Sequence, residues 1–321
     1  MRRLKQRPLL RQIFLALAMT CTLSTALLQA QPAESVAVSK IAVVYPRVRE
    51  PFRSVFQSIA DGAEREAPGR VETIEVDADS NTVNIVEMLE QQQIDAAILL
   101  GKRGLDISSA MSPNTRKVVG AVFASPTSLP SDVSGISLAP APDLLFAKLH
   151  ELAPSVERVT VVHGDDDNAW LVELGRAAAQ ASGLQFRSVA ATTLRDAANA
   201  YRDILQEGRS DKDAVWLLQA SSFLNENSLL QMILREAWNR NLVVFSSNPS
   251  HVPKGALFSL FPDNAALGEE LARLAISSDN DQQALRPVRS LKTALNIRTA
   301  DHLGLGLNED RDGFDMVFPN R

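Results

Sequence analysis

An α/β fold of two Rossmann-like lobes with parallel sheets is predicted by a repeated pattern and by chain size. The pattern occurs twice, about 118 residues apart. Lys40–Tyr45 is followed by a helix-like stretch, a second β-prone run at Val71–Val76, another helix and an apolar run at Ile94–Gly101. Arg158–His163, Gln185–Val189 and Asp213–Gln219 repeat that alternation. Each half is a βαβαβ unit, and such units form open parallel sheets with a cleft beyond their strand ends. The 321 residues are 45% hydrophobic but only 5% aromatic, so there is chain enough for two domains, with cores built mainly of Ala, Val, Leu and Ile.

In order along the chain, Pro46 ends the first strand. The stretch Glu50–Glu66 puts Phe52, Val55, Phe56 and Ile59 on one helical face, and Pro68-Gly69 breaks it. Asp79-Ser80-Asn81 supplies the start of a helix lined by Val83, Ile85, Val86, Met88 and Leu89. From Ala96 the third strand is apolar throughout, as burial on both faces requires. Leu105–Met111 reads as a short helix and Lys117–Phe123 as a fourth strand. Pro126, Pro130, Pro140 and Pro142 punctuate a Ser- and Ala-rich crossing to the second lobe, with Gly135-Ile136-Ser137-Leu138 as a short strand inside it. The second lobe's helices are read at Asp143–Leu152, Ala169–Ser182, Thr193–Glu207 and Glu226–Asn239, with a further strand at Leu242–Phe245. Ala256–Leu260 is expected to be the return strand into the first lobe, and Asn264–Ile276 a first-lobe helix. The predicted division is 38–135 plus 256–285 for lobe 1, 136–255 for lobe 2, and 286–321 as a C-terminal segment closing across the lobes.

Residues 1–30 read as a signal peptide. Arg2, Arg3, Lys5, Arg7 and Arg11 make a basic start, an uncharged stretch runs from Gln12 to Ala33, and Leu28-Gln29-Ala30 offers a cleavage site near Ala30. Its apolar core is short for a membrane span. The expected location is periplasmic. Cys21, the only cysteine, lies in this leader behind Ala18-Met19-Thr20, a poor lipoprotein box. Cleavage at Ala30 leaves no cysteine for a disulfide, a thiol nucleophile or a Cys-based metal site. It also removes five basic residues, leaving 28 Lys and Arg against 38 Asp and Glu, a net charge of −10 instead of −5. An acidic exported chain is a poor match for nucleic acid.

Motifs that carry chemistry are missing. The sequence has no Gly-x-Gly-x-x-Gly, no phosphate-cradling Gly-Lys-Ser/Thr loop and no Gly-x-Ser-x-Gly elbow. His150, His163, His251 and His302 are scattered, so no metal site is expected. Neither a cofactor nor an enzymatic activity is predicted. Asp165-Asp166-Asp167 lacks the oxygen-ligand spacing of a calcium loop and reads as a solvated turn.

What remains is the set of polar loops after strands, where open parallel sheets bind ligands. The candidate ligand-binding residues are Arg47, Gly101, Lys102 and Ser125 in the first lobe, and Asp165, Asn168, Gln219, Ser221, Ser246 and Asn248 in the second. Their hydroxyls and helix starts suit a carboxylate, and an acid facing them would hold an ammonium group. Each also has an ordinary reading as a cap or turn residue. Trp170, at a helix start, is either an aromatic wall of the cleft or local packing; Trp216 and Trp238 read as core.

Several segments together resemble a known family. They include Gly135-Ile136-Ser137-Leu138, Val159-Thr160-Val161-Val162, Trp170-Leu171-Val172, Ala214–Leu218 and Val243–Ser246. The most specific is Asn296-Ile297-Arg298-Thr299-Ala300-Asp301-His302-Leu303-Gly304, which looks like the closing Asn-x-Lys-Thr-Ala-x-x-Leu-Gly of the ABC-transporter substrate-binding family that includes tryptophan- and phenylalanine-type binders, with Arg298 in place of the usual Lys. The resemblance covers about residues 38 to 318. It implies a type I periplasmic-binding fold that closes like a hinged clamp on a small polar or amino-acid-like ligand and hands it to an ABC permease. The loops Pro46–Arg49 and His163–Asn168 depart from the family pattern. The expected protein is therefore a monomeric exported solute-binding protein; the alternative is a periplasmic sensory or partner-binding module without transport, docking on the periplasmic face of a sensor.

Overall fold

The computed structural model describes residues 38–77, 79–164, 168–219, 223, 227–277, 285–307 and 313–319. The leader with Cys21, and Asp165 and Ser221 of the expected site, lie outside the described residues.

The first half of the chain folds as β1 (Ile41–Pro46), α1 (Phe52–Glu66), β2 (Val71–Val76), α2 (Thr82–Gln91), β3 (Ala96–Leu100), α3 (Gly101–Ala110), β4 (Arg116–Val122) and β5 (Val133–Pro140). The second half continues with α4 (Pro142–Leu152), β6 (Arg158–His163), α5 (Ala169–Ala181), β7 (Gln185–Ala190), α6 (Leu194–Glu207), β8 (Asp213–Leu217), α7 (Asn227–Asn239) and β9 (Val243–Ser246). After these come β10 (Phe258–Pro262), α8 (Asn264–Ile276), β11 (Leu285–Val288), β12 (Leu291–Asn296), α9 (Ile297–His302) and β13 (Met316–Phe318). A six-stranded sheet with order β11-β5-β4-β3-β1-β2 forms lobe 1, and a seven-stranded sheet with order β13-β12-β10-β9-β8-β6-β7 forms lobe 2.

Lobe 1 is parallel throughout its described pairings. Its centre is β3, where Ile98, Leu99 and Leu100 are fully buried, each worth roughly 1.5–3 kcal/mol over exposure. Two apolar layers flank the sheet. Ile59 and Ala63 of α1 meet Leu267 and Leu271 of α8 on one face, and Ile85 and Leu89 of α2 meet Ile107 of α3 on the other. Asn81 caps α2 by accepting from the Val83 amide at 2.8 Å. In α3 the helix starts a full turn before the expected Leu105, because Gly101 adopts φ +72° and turns the chain directly out of β3.

Lobe 2 is parallel from β7 to β10, whereas β12 runs antiparallel to β10. The reason is the route of the chain: β10 runs toward lobe 1 and β12 comes back from it. Thr193 and Asp196 form a capping box that starts α6.

The expected lobe boundaries shift at two places. Ala256–Leu260 does not return the chain to lobe 1: β10 lies between β9 and β12 of the second sheet, and the crossing comes after it, at Pro262-Asp263. A short strand buried on both faces fits either sheet, so its apolarity could not choose. Likewise Ile136–Pro140 belongs to lobe 1, because β5 pairs with β4 and β11; the crossing follows at Pro140–Pro142. Residues 286–288 edge the first sheet, and the remaining described tail elements belong to the second.

The chain thus passes between the lobes three times, after β5, β10 and β11. These crossovers are bonded to one another. The Ala141 amide donates to Val288 O and the Asp263 amide to Ser290 O, both at 3.0 Å. Arg289 grips Asp143 with two hydrogen bonds of 3.0 and 2.8 Å. Asp263 caps α8 and pairs with Lys292 at 3.3 Å. These bonds tie the three crossing segments to one another at the element ends.

Candidate functional site

The strand ends that face across the lobes enclose one small hollow. Lobe 1 contributes Phe123 and Ala124, just past β4, and Ser137 and Ala139 from the end of β5. Lobe 2 contributes Asn168, Trp170 and Leu171 at the head of α5, Leu218 and Gln219 after β8, and Ser247 after β9. All these positions lie at C-terminal strand ends, where open α/β sheets hold ligands. The hollow's volume is about 40 Å³, too small for a ligand of several heavy atoms. A ligand the size of an amino acid enters only if the lobes part.

Polarity in this hollow is one-sided. Lobe 1 offers an apolar wall apart from Ser137, whose hydroxyl donates to Val122 O at 3.4 Å. On the lobe 2 side, the Trp170 indole Nε1 and the Gln219 side-chain Oε1 are both buried and have no hydrogen-bond partner among the described residues. An unmet donor and an unmet acceptor each cost about 1–3 kcal/mol, and together they call for an explanation. Ser247, by contrast, accepts from the Trp216 indole at 2.9 Å, which anchors the β9 loop to the lobe 2 core. Trp170 also reaches the other lobe: it packs against the cluster that contains Val122, Ala124 and Val133. Behind it lies a larger groove of about 860 Å³, between Leu174 and Ala177 of α5 and Leu285 and Pro287 of β11, so Trp170 is the partition between cleft and groove.

The residues expected from sequence fall into separate groups. Asn168 and Gln219 line the hollow together. Arg47 stands on the lobe 1 rim, where it pairs with Asp77 at 2.7 Å and with Glu75 at 3.4 Å. Glu75 also accepts from Tyr45, and burial followed by the Glu75 charge pushes the Tyr45 phenol pKa up. Gly101 makes its turn against the Phe56 ring, 3.3 Å from where a Cβ would sit, and Lys102 is exposed in the first turn of α3. Ser125 is buried in a tight turn in which its amide donates to Ser128 Oγ and its carbonyl accepts from the same hydroxyl. Ser246 is fully buried: its hydroxyl lies 2.8 Å from His251 Nδ1, 3.2 Å from Leu217 O, and accepts from the Asn248 amide. Asn248 caps the following 3-10 turn by accepting from Ser250 N. Ser246, His251 and Asn248 therefore fix the loop that presents Ser247. Burial, reinforced by the Lys254 charge, pushes the His251 pKa down to about 4, so the ring is neutral at pH 7.

Sequence reasoning named Trp170 only as an even choice, placed Ser247 in a strand-end loop without selecting it, and passed over Phe123, Ala124, Ser137, Ala139 and Leu218. A signal existed for Ser247, which sits between two chosen residues. Ser137 and Ala139 were hidden because their strand was read as part of a crossing.

Among the described residues there is no group of three or more His, Cys, Asp or Glu placed to hold a metal, and no helix long and apolar enough to cross a membrane.

No family model matches the chain, and no curated protein does. Solved structures do match. The open, ligand-free substrate-binding protein CD0873 of Clostridium difficile, described as having adhesive properties, superposes with a TM-score of 0.63 at 14% identity, covering 88% of this chain and 100% of that one. An ABC domain from Streptococcus pneumonia in complex with L-Trp gives 0.52 at 16% identity over 88% and 100%. A conserved domain protein of Vibrio cholerae gives 0.50 at 19% identity over 87% and 99%. The chain has the type I periplasmic-binding fold. The three crossovers join the two sheets, and the hollow lies between the sheets at their C-terminal strand ends.

Proposed function

We propose that the protein is an exported solute-binding protein that captures a small ligand between its lobes. The observation that carries this reading is the pair of buried, unpartnered groups in the cleft, the Trp170 N–H and the Gln219 carbonyl. A ligand presenting an acceptor to the first and a donor to the second, with an apolar body against Phe123, Ala124 and Leu218, satisfies both. Because the polar groups sit on lobe 2 and the smooth wall on lobe 1, the ligand docks on lobe 2 and lobe 1 then covers it. Contacts to both lobes stabilise closure.

The sequence resemblance supports an amino-acid-like ligand and delivery to an ABC permease. Asp165 is the proposed partner of the ligand's ammonium group. The test is a thermal-shift screen of the mature chain against amino acids, nucleosides and sugars. The expected result is stabilisation by one class, lost in Gln219→Leu and weakened in Trp170→Phe. If Asp165→Asn binds that ligand unchanged, the amino-acid assignment fails while capture stands. A cleanly folded protein that no small molecule stabilises sinks the capture reading itself.

A further inference from the structure

The tail motif that carries the family resemblance does a second thing in this molecule. Asn296 Nδ2 donates to Val252 O at 2.7 Å, Asn296 Oδ1 accepts from Thr299 N at 3.0 Å, and Thr299 Oγ1 donates to Gly255 O at 3.1 Å. The first and third bonds pin the 252–255 turn against the start of α9, and the second caps that helix. The two elements so joined each carry an exposed cation, Lys254 on the turn and Arg298 on the helix, and both line one hollow of about 460 Å³.

Aromatic groups wall the same hollow. Trp238 stacks on His302 with ring centroids 3.6 Å apart, and His302 is held by its Nε2 against Trp238 O at 2.9 Å. The Arg298 guanidinium lies 5.8 Å from the Trp238 ring. Phe318 and Pro319 close the side. Among the described residues neither Lys254 nor Arg298 has a carboxylate within ion-pair distance. The hollow is far from the cleft. Trp238 ends α7 and leads into the N-terminal end of β9, whereas the cleft residues follow the C-terminal ends of β6, β8 and β9.

We infer that this hollow is a second binding site, at the end of lobe 2 away from the cleft, for a small aromatic carboxylate. The size suits a ring-sized ligand. The ring packs against Trp238 and Phe318, and the carboxylate meets Arg298 and Lys254, the two charges left without a counter-ion. The two sites share no lining residue.

The experiment is calorimetric titration of the mature chain with indole-3-carboxylate at low and high salt, with indole-3-carboxamide as the uncharged control. The expected result is one saturable site that weakens with salt, with the carboxamide bound about tenfold or more weakly. Lys254→Gln together with Arg298→Gln abolishes the binding, Lys254→Gln alone weakens it, and Gln219→Leu leaves it intact. The proposal is overturned if the folded protein shows no saturable binding, if carboxylate and carboxamide bind alike, or if the double variant still binds. Loss in Gln219→Leu overturns it too, since the probe is then in the cleft. Should the double variant fail to fold, unchanged binding by Lys254→Gln decides against the site.

Discussion

In lobe 1, α1 and α8 meet backbone to backbone. A Cβ added at Gly62 would lie 1.9 Å from Ala265 O, and one at Gly268 would lie 1.9 Å from Ile59 O. In lobe 2 the corresponding space is filled by rings. Phe146 stands edge-on to Trp216 at 5.5 Å and to Phe245 at 6.1 Å, and Phe245 stacks on Phe258 at 5.3 Å. One ring of this group reaches the cleft: the Trp216 indole ends on Ser247, a cleft residue. Lobe 1 has a close helix contact that involves none of the residues lining the hollow, and lobe 2 has a core that continues into that lining. Damage to the core of lobe 2 should therefore reach binding, and damage to the helix contact of lobe 1 should not.

Trp216→Ala gives the largest effect. Removing this fully buried ring costs about 3–5 kcal/mol and frees Ser247. Denaturant titration should show the loss, and the ligand found by screening should bind more weakly to the fraction that stays folded. Intact affinity would break the link between the core and the cleft.

The second effect is one of pH and also belongs to lobe 2. His251 is neutral when folded, with its pKa pushed down to about 4, but takes up a proton near 6.5 when unfolded. Between those values the unfolded chain binds more protons, so stability is full above about pH 7 and falls as the pH drops toward 4, by up to about 3 kcal/mol. His251→Gln should flatten this slope in denaturation curves taken across that range. The carboxylates held low by hydrogen bonds, such as Asp143 through Arg289 and Asp95 through Ser39, lose their contribution at lower pH.

Gly268→Ala tests lobe 1. Forcing a methyl group against a helix carbonyl should cost about 1–3 kcal/mol, towards the upper end, as α1 and α8 separate. Ligand affinity measured on the folded variant should stay unchanged; a loss as large as that from Trp216→Ala would erase the contrast between the lobes. The smallest effect is expected at the crossovers. Arg289→Gln removes an ion pair whose side chains are both about half exposed, so stability should change by about 0–1 kcal/mol. Its informative readout is the fraction of closed protein in solution scattering, with and without ligand.

The sequence made the layer order of this fold readable because β-strand runs and helical faces have distinct periods, and both lobes repeat them. It could not assign β10 or β5 to a sheet, since Phe258–Leu260 and Ile136 are buried on either choice. The candidate site was legible where a polar residue directly follows a strand, as with Asn168 and Gln219. Elsewhere the same residue types serve the fold. Ser125 closes a turn, Ser246 holds His251, and Arg47 is neutralised by Glu75 and Asp77. Nothing local distinguishes a hydroxyl that bonds its own loop from one that faces a ligand. Phe123 and Ala139 escaped notice for the opposite reason: they are apolar, and only the apposition of two lobes turns them into a wall.

The order in which strands join the sheets also governs when the chain can fold. The edge strand β11 of lobe 1 begins at residue 285, and β12 and β13 of lobe 2 come later still. The helix that packs against α1 begins only at residue 264. Neither sheet can be completed until the residues after 285 have been made, and lobe 1 depends on contacts between residues 204 apart, such as Arg65 with Glu269. Such distant pairings make folding slow. A chain emerging from the ribosome therefore leaves both sheets unfinished until these late strands appear.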